Sequence, residues 1–435
     1  MSELRTRDVV DADLPAVLAI RGRSFGPLGS GGEAWWQRVS AETLGGRMIA
    51  VVDDSDTVLA AGRIRPYEQA WGGRHLRMGG VAGVYVEPSA RGRGVATTLT
   101  RALITRMGEL GDVVSCLFPT TATLYRRSGY EIGGVQTRTT YAAHLLRELG
   151  ASGPGRGRST GLRPARPGDA QWMHDLDREA NARHGVSGPM VRSVSALAGM
   201  LERDELIAYV TDGGFVVYDL SDQTVTVEDL VATTPEDAAV LWGVVGSGSS
   251  AAPTVHTFLD PRDPVTLVLG GLPAAEVQQV PWMGRVIDLA AAFGERGFAP
   301  HTTATVDLLV DDPEAPANSG SWTLSVSGGR GTATRTADLP VRGDAGPRLG
   351  AAITSNEAGG GDGDSAGERG SEAALRVGAR REGALRVGAR GLSALWCGWS
   401  VSHLRQARLA ADGTADGDAA LDAVFACQPF ITEYF

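Results

Sequence analysis

The sequence predicts an α+β protein of mixed sheets and helices, built from two similar units and a different third region. Residues 1–145 alternate between helical and extended patterns. The segment 150–160 has the composition of a linker, and after it the amino-terminal pattern starts again. The pattern changes once more at Pro281, and a chain of 435 residues is too long for one core. We expect three domains, at residues 1–149, 160–281 and 282–435.

Composition indicates a cytoplasmic protein without a membrane partner. Hydrophobic residues make up 43% of the chain, but no apolar run approaches the roughly 18 residues of a membrane span. The first residues lack the apolar centre of a signal peptide. Cys116, Cys397 and Cys427 are few and far apart, so neither a disulfide framework nor a zinc site is expected.

The charge balance excludes one large class of partners. The net charge is −10, every basic side chain is arginine, and no lysine occurs. An acidic chain without basic clusters is a poor ligand for nucleic acid. Its field attracts cations instead, so we expect a cationic amine as the small-molecule substrate.

The first unit has well-separated predicted elements. A helix capped by Asp11 runs to Phe25, and a Gly-rich segment follows it. The remaining patterns predict strands at Met48–Val52, Val58–Ile64, Leu76–Val86 and Val113–Phe118, a helix at Val95–Leu110, a short helix or turn at Thr120–Tyr125, and an extended segment from Tyr130.

The stretch 81–98 predicts an anion-binding loop. A β-branched strand runs into Arg91-Gly92-Arg93-Gly94 and then into the helix that starts at Val95. The first four N–H groups of a helix have no partner inside it, and the helix dipole adds positive charge there. Two glycines let the backbone close around a ligand, which favours a pyrophosphate cradle. An ordinary surface loop in an Arg- and Gly-rich chain is the alternative.

The second unit repeats the first without this loop. Leu4-Arg5 precedes Asp11 by the spacing that separates Leu162-Arg163 from Asp169. Strands are predicted near Leu206–Val210, Gly214–Tyr218 and Thr224–Val231. At the position of the loop stands Thr233-Thr234-Pro235-Glu236-Asp237, whose acids would repel a pyrophosphate. We therefore expect the second unit to keep the fold without the cofactor.

The third region is predicted from shorter patterns. Residues 285–298 indicate one helix, and Thr303–Val310 and Ser321–Ser327 indicate strands. The Gly-, Asp-, Glu- and Ser-rich segment 340–372 is expected to be a disordered or mobile loop. Within 374–390 the sequence ALRVGAR occurs twice, which we interpret as a duplication that lengthens a surface loop.

Acylation of an amine by a thioester needs an oxyanion contact, a base and an acid for the departing thiolate. A tyrosine of pKa about 10 is matched to a thiolate of about 8.5, and Tyr125 lies shortly after the loop. A packing role for Tyr125 is the alternative. No histidine or glutamate has a recognisable relation to the loop. The chain ends with three aromatic residues, Phe430, Tyr434 and Phe435, so a buried terminal carboxylate is the candidate base.

The pattern V-x-V-x-P-x-x-R-G-x-G resembles the coenzyme A signature of the GCN5-related N-acetyltransferases. Together with LYRRSGY, TFLDPRDPVTLVL, WMGRVIDLAAAFGERGF and the terminal aromatic residue, it resembles the Eis (enhanced intracellular survival) family over nearly the whole chain. The resemblance implies two acetyltransferase folds, a sterol-carrier-protein-like domain and a homohexamer. It also implies acetyl transfer from acetyl-CoA, without a metal, to amines of aminoglycosides or other polyamines.

The resemblance assigns roles to particular residues. It implies a main-chain oxyanion contact at Val84–Val86, Tyr125 as the general acid, and the Phe435 carboxylate as the base. Phe25, Trp36 and Phe118 would line the acceptor pocket, although each is equally expected in the core. The implied acetyl-CoA contacts are Val84, Tyr85, Val86, Arg91, Gly92, Arg93, Gly94, Val95, Ala96 and Thr120.

Two positions depart from the family pattern. Members with strong aminoglycoside activity carry an acid after the Ser-Phe of the first helix, where this chain has Gly26, and a glutamate before the terminal Phe, where it has Tyr434. The nearest acid to that position is Glu433. Two other functions stay open: a protein lysine acetyltransferase, and a non-catalytic protein that binds coenzyme A or a lipid.

Overall fold

The computed structural model describes residues 3–29, 31–153, 160–260, 262–338 and 383–434. Two mixed sheets with helices on their faces confirm the predicted α+β class. One sheet has 13 strands and is shared by the first two units, and the other has five strands and belongs to the third region.

The first unit matches its predicted elements closely, although its third strand runs seven residues beyond the predicted end at Ile64. Its elements are β1 (Arg5–Asp8), α1 (Leu14–Phe25), α2 (Gly32–Thr43), β2 (Met48–Val52), β3 (Val58–Trp71), β4 (Arg74–Val86), α3 (Val95–Leu110), β5 (Val114–Leu117), α4 (Ala122–Arg127), β6 (Glu131–Ala142) and α5 (Ala143–Ser152). Helix α5 therefore continues into the segment predicted as linker, and residues 154–159 of that segment lie outside the described residues.

Helix α3 has the predicted bounds because its apolar residues follow the helical period. Val95, Leu99, Leu103 and Met107 recur every four residues, and all are buried against the sheet. The helix ends at Gly111, whose φ of 75° is the left-handed conformation that favours glycine at this position.

The second unit repeats the topology of the first. Its strands follow the order β7-β9-β10-β11-β12, with three antiparallel pairs and then one parallel pair, as in β1-β2-β3-β4-β5. Its elements are β7 (Arg163–Pro164), α6 (Ala170–His184), β8 (Met190–Val191), α7 (Val194–Leu201), β9 (Leu206–Val210), β10 (Gly214–Ser221), β11 (Thr224–Ala232), α8 (Pro235–Gly246), β12 (Thr254–Thr257), α9 (Pro264–Leu267) and β13 (Glu276–Val286).

The register of the repeat differs from the prediction by two residues. Arg7 holds both carboxylate oxygens of Asp13, at 2.6 and 3.0 Å, and Arg163 holds those of Asp169 at 2.8 and 2.7 Å. Each carboxylate also accepts a backbone N–H three residues earlier. Arg163 and Asp169 therefore correspond to Arg7 and Asp13, not to Arg5 and Asp11. The feature that the two units share is an arginine–aspartate ion pair. The same spacing also separates Arg5 from Asp11, so spacing alone did not identify the correct pair.

Strand β13 joins the two units. It lies between β5 and β6 of the first unit and is antiparallel to both, while β6 also pairs with β12. The prediction of one helix over 285–298 is therefore wrong, because Arg285 and Val286 end this strand and only Leu289–Glu295 is helical. The expected boundary at 281/282 falls inside β13.

A buried ion pair accounts for the strand at Arg285. Its guanidinium donates to both carboxylate oxygens of Asp312, at 2.8 and 3.0 Å, and both side chains are fully buried. Charged groups removed from water must be paired. Asp312 lies 27 residues away along the chain. The contact that holds Arg285 in place is therefore invisible to a local helical pattern.

The third region follows β13 directly. Its elements are α10 (Leu289–Glu295), β14 (Ala304–Asp311), β15 (Gly320–Ser327), β16 (Arg330–Ala337), β17 (Leu385–Gly388), α11 (Ala389–Trp396), α12 (Val401–Gln406), β18 (Ala410–Asp412) and α13 (Ala415–Phe425). The strand order is β16-β15-β14-β17-β18. Apolar residues of this sheet and its helices share one core cluster with Trp71, Met78 and Trp282, so the region packs directly on the first unit.

The second ALRVGAR copy belongs to the core and not to a surface loop. Leu385 and Val387 are buried in β17, which pairs with β14. The first copy and the predicted mobile loop 340–372 lie outside the described residues.

Candidate functional site

The Arg91–Gly94 loop joins a short 3₁₀ turn, Pro88–Ala90, to the start of α3. Gly92 and Gly94 have φ values of 77° and 83°, the left-handed conformation that glycine adopts readily. Among the described residues, no atom lies within 4 Å of where a side chain would begin at either glycine. Arg91 and Arg93 are exposed. An open loop with two exposed arginine side chains and a helix amino terminus fits the pyrophosphate of acetyl-CoA.

A cleft opens beside this loop because two parallel strands separate. Strands β4 and β5 pair from Met78/Val114 to Gly80/Cys116, and β4 then continues to Val86 paired with β3 and not with β5. A bulge in the β3–β4 pairing coincides with Gly83, whose φ is 57°. The last part of β4, which contains Val84–Val86, thus has an edge that β5 does not pair with, and the Val86 carbonyl accepts the Ser24 hydroxyl at 3.1 Å. A main-chain oxyanion contact requires a backbone N–H on such an unpaired edge.

Val84, Tyr85 and Val86, the predicted acetyl-CoA contacts on this strand, point to opposite faces of the sheet. Val84 and Val86 pack against the cluster around α3, whereas Tyr85 is 5% exposed in the cluster under α1 and α2. The Tyr85 side chain therefore belongs to the core, and only its backbone is available to a ligand. Thr120 is exposed beyond the end of β5.

Tyr125 lies on α4 and packs against the same cluster as α3. It is 6% exposed, and burial raises the pKa of Tyr125 to about 12. Burial has this effect because the phenolate loses its hydration more than the neutral phenol does. At neutral pH Tyr125 is fully protonated and can donate a proton.

The neighbouring Tyr130 has a different environment. It is completely buried, and its hydroxyl lies 2.8 Å from Oγ of Ser115, which in turn donates to the Gly79 carbonyl. Arg126, next to Tyr125, donates to Glu131 at 2.8 Å, and Arg390 of the third region donates to the same carboxylate at 2.6 Å. These contacts hold α4 between the first unit and the third region.

The predicted acceptor residues have different environments. Phe25 is 54% exposed and lies edge-on to Tyr85, with ring centroids 5.7 Å apart. Phe118 is half-buried and lies 4.5 Å from the ring of Tyr434. Trp36, in contrast, is 6% exposed in the core under α1. Trp36 lies on the same face of α2 as the buried residues Val39, Ser40 and Thr43, at intervals of three and four residues. This spacing is the sequence signal that indicates a core position.

Sequence reasoning missed the indole that lies nearer to the surface and the residues that bind the carboxyl-terminal tail. Trp35 is half-buried, and the guanidinium groups of Arg21 and Arg63 lie 5.8 and 5.3 Å from its ring.

The tail residue Glu433 has a partner on β3. Tyr67 donates to Glu433 at 2.7 Å, and burial beside this carboxylate raises the pKa of Tyr67 well above 10. A charged residue within an apolar tail requires partners, and that requirement was the available signal.

The carboxyl-terminal tail is buried only in part. Phe430 and Ile431 are buried, but Tyr434 is 63% exposed. Phe435, the predicted base, lies outside the described residues.

The second unit has no open loop at the equivalent helix. The side chain of Thr234 accepts the N–H of Asp237 at 3.1 Å and donates to its carboxylate at 2.5 Å. Asp237 is buried at the start of α8. The Thr234 hydroxyl thus caps this helix amino terminus and a buried carboxylate lies beside it, where the first unit has exposed arginines.

Comparisons with known proteins agree with this architecture. Acetyltransferase (GNAT) domain models match residues 5–133 and 188–286, and a sterol carrier protein domain model matches residues 289–432. A solved GCN5-related N-acetyltransferase from Kribbella flavida is 37% identical, with a TM-score of 0.83, over 100% of this chain and 99% of that chain. The chain belongs to the GCN5-related N-acetyltransferases.

More distant structures share the fold of this acetyltransferase. They are a GCN5-related N-acetyltransferase from Anabaena variabilis ATCC 29413 (19% identity, TM-score 0.76) and Eis1 from Mycobacterium abscessus (18% identity, TM-score 0.66), each with 100% of both chains covered. A comparison with curated proteins gave no match.

The predicted enzyme class is confirmed. The protein is an N-acetyltransferase with tandem GNAT domains and a sterol carrier protein domain, and GNAT domains use acetyl-CoA. Among the described residues, no helix has the length and apolar character needed to cross a bilayer.

Proposed function

We propose that this acetyltransferase is Eis-like and transfers acetyl groups directly from acetyl-CoA to amines of aminoglycosides or other polyamines. The observation that carries the proposal is the cleft between β4 and β5, with the open Arg91–Gly94 loop at one side and protonated Tyr125 near it in the fold. The net charge of −10 favours a cationic acceptor.

In the proposed mechanism, the chain binds and orients both substrates and moves two protons. The exposed arginines and the α3 amino terminus hold the pyrophosphate, and the free edge at Val84–Val86 donates an N–H to the thioester oxygen. The carboxylate of Phe435 accepts a proton from the acceptor ammonium. As the new C–N bond forms and the C–S bond breaks, Tyr125 donates its proton to the thiolate. The nitrogen then carries two protons; one passes to the Tyr125 phenolate and restores the phenol, and the amide product keeps the other.

Phe25 and Phe118 are proposed as acceptor contacts, whereas the Trp36 side chain contributes to the core. The proposed acetyl-CoA contacts stay as the sequence predicted them, with Tyr85 acting through its backbone. Of these, the loop residues and Thr120 are exposed.

The test measures thiol release from acetyl-CoA with an aminoglycoside, spermidine and a lysine peptide. Turnover with the aminoglycoside or spermidine supports the proposal. Turnover with the peptide alone contradicts it in favour of a protein lysine acetyltransferase. Binding of acetyl-CoA without turnover on any amine would leave a binding protein.

We further propose a cytoplasmic homohexamer. The first part of β13 supports self-association, because Glu276–Pro281 are all exposed and Val277 is 56% exposed. The cytoplasmic part of the proposal rests on the sequence, in which the three cysteines are few and far apart. Sedimentation equilibrium measures the assembly, and a monomeric mass would contradict the proposal.

A further inference from the structure

The tail 429–434 crosses the first two units along a closely fitted path. The Phe430 N–H donates to the Ser187 carbonyl at 3.1 Å, and Gln136 donates to the Thr432 carbonyl at 2.9 Å. A side chain at Gly188 would begin only 2.0 Å from the Phe430 oxygen, so the backbones meet closely there. The backbone of the tail is thus held by a backbone carbonyl before β8 and by a side-chain amide on β6.

Glu433 is the charged contact of this tail. Its Oε1 accepts the Tyr67 hydroxyl at 2.7 Å and lies 3.5 Å from Nη1 of Arg65, and its Oε2 lies 3.3 Å from Nη2 of Arg192. The Glu433 side chain is 11% exposed and that of Arg192 is 12% exposed. A carboxylate so far removed from water is stabilised only while its partners remain in place.

Arg192 comes from the second unit, which has no open pyrophosphate loop. It follows β8, a short strand that pairs with β3 of the first unit through Glu68/Val191 and Gln69/Met190. Its other guanidinium nitrogen donates to Asp229 of β11 at 2.7 Å. One planar guanidinium therefore links the sheet of the second unit to the tail, which the point charge of a lysine would not do with the same geometry.

The held segment ends beside a predicted acceptor residue. Tyr434 stacks on Phe118, which directly follows β5 at the cleft. Any movement of Glu433 shifts its neighbour Tyr434. The Glu433 contacts therefore bear on where Tyr434 lies relative to Phe118.

We infer that Arg192 of the second unit is a positioning residue, which holds Glu433 and with it Tyr434 against Phe118, at the acceptor side of the first unit's cleft. This gives the second unit a role without a cofactor of its own. The effect on turnover rests on the proposed function, in which the Phe435 carboxylate is the base. The effect on tail mobility does not.

The experiment compares Glu433→Gln, Arg192→Lys and the double variant in the full-length protein. Glu314→Gln is the control, because Glu314 also pairs with an arginine, Arg101 at 2.8 Å, and its side chain is 13% exposed. Hydrogen exchange of the backbone amides of 430–434 reports tail mobility. Turnover with spermidine and the affinity for acetyl-CoA are measured on the same samples.

We expect exchange in the tail to be about tenfold faster in each single variant, because a charge-assisted contact is weakened. Turnover should fall about tenfold with unchanged acetyl-CoA affinity, since the loop at α3 is untouched. The double variant should be no worse than the more affected single variant, because both changes remove the same contact. The control should match the parent protein in all three measurements.

Each outcome bears on a separate part of the proposal. Unchanged tail exchange in Arg192→Lys overturns the inference, whatever the rates are. If only Glu433→Gln exchanges faster, Arg65 and Tyr67 hold the tail without Arg192, which also overturns it. Faster exchange in both variants with unchanged turnover sustains the positioning of the tail and contradicts the terminal carboxylate as base.

Discussion

Tyr125 lies edge-on to Tyr130, with ring centroids 6.0 Å apart and an interplanar angle of 73°. Both phenols are buried, and the Tyr130 hydroxyl belongs to a chain of buried hydrogen bonds that runs through Ser115 to the Gly79 carbonyl. The pair therefore divides two tasks: Tyr130 anchors the start of β6 in the core, and Tyr125 is the proposed proton donor.

Replacing Tyr125 by Phe should lower turnover about 100-fold, within the range for loss of a general acid, while acetyl-CoA affinity changes little. Steady-state kinetics and calorimetric binding measure both quantities. Tyr218→Phe is the matched control, because burial also raises the pKa of Tyr218 to about 12 but this residue lies in the second unit. An undiminished rate in Tyr125→Phe would remove Tyr125 from the mechanism.

The pH dependence of turnover follows from the same tyrosine. Since burial raises the pKa of Tyr125 to about 12, the proton-donating form persists as the pH rises to 10 and is lost only near 12. Turnover should therefore show no alkaline decline between pH 8 and 10. A decline in that range that disappears in Tyr125→Phe would show that the phenol ionises with an ordinary pKa.

Gly94→Ala should weaken acetyl-CoA binding and cost about 1 kcal/mol of stability, because alanine is strained at a φ of 83°. Gly185→Ala carries a similar conformational cost at a φ of 62°, with no atom of the described residues within 4 Å of the new side chain. Thermal unfolding and acetyl-CoA binding are measured for both. Equal acetyl-CoA affinity in the two variants would contradict the pyrophosphate role of the loop.

Trp36→Ala should destabilise the first unit by about 3–5 kcal/mol, the usual cost of truncating a buried tryptophan. Phe25→Ala should leave unfolding nearly unchanged, since Phe25 is 54% exposed, but should raise the KM for the acceptor. Thermal melts and acceptor titrations separate the two effects. An unaltered melting temperature in Trp36→Ala would place that side chain outside the core.

Asp13→Ala should cost about 1.5–3 kcal/mol at pH 7, because it removes charge-assisted hydrogen bonds with Arg7. The hydrogen bond from Arg7 lowers the pKa of Asp13. The contribution is therefore present above the ordinary pKa of an aspartate, near 4, and is lost as the pH falls below it. Denaturation at pH 7 and pH 3 tests this, with the exposed Asp11→Ala as control. Equal losses at both pH values would contradict it.

Local patterns predicted the first unit well. Helix α3 and strand β2 have the predicted bounds, because an apolar helical period is complete within α3 and an unbroken apolar run is complete within β2. The Arg91–Gly94 loop was recognisable for the same reason, since its glycines and arginines are contiguous with the strand and helix that support them.

The sequence by itself determined the fold class, the repeated unit and the candidate cofactor loop, because each depends on residues that are neighbours along the chain. Tertiary structure alone decided that Arg285 belongs to a strand, that Trp36 is a core residue and that Glu433 meets Arg192. Arg285 is held by Asp312, and Trp36 packs in a core that α1 helps to form. The partner of Glu433, Arg192, comes from the second unit. Pairing a buried charge and filling a core are requirements of the folded chain, and no local spacing encodes which distant residue will satisfy them.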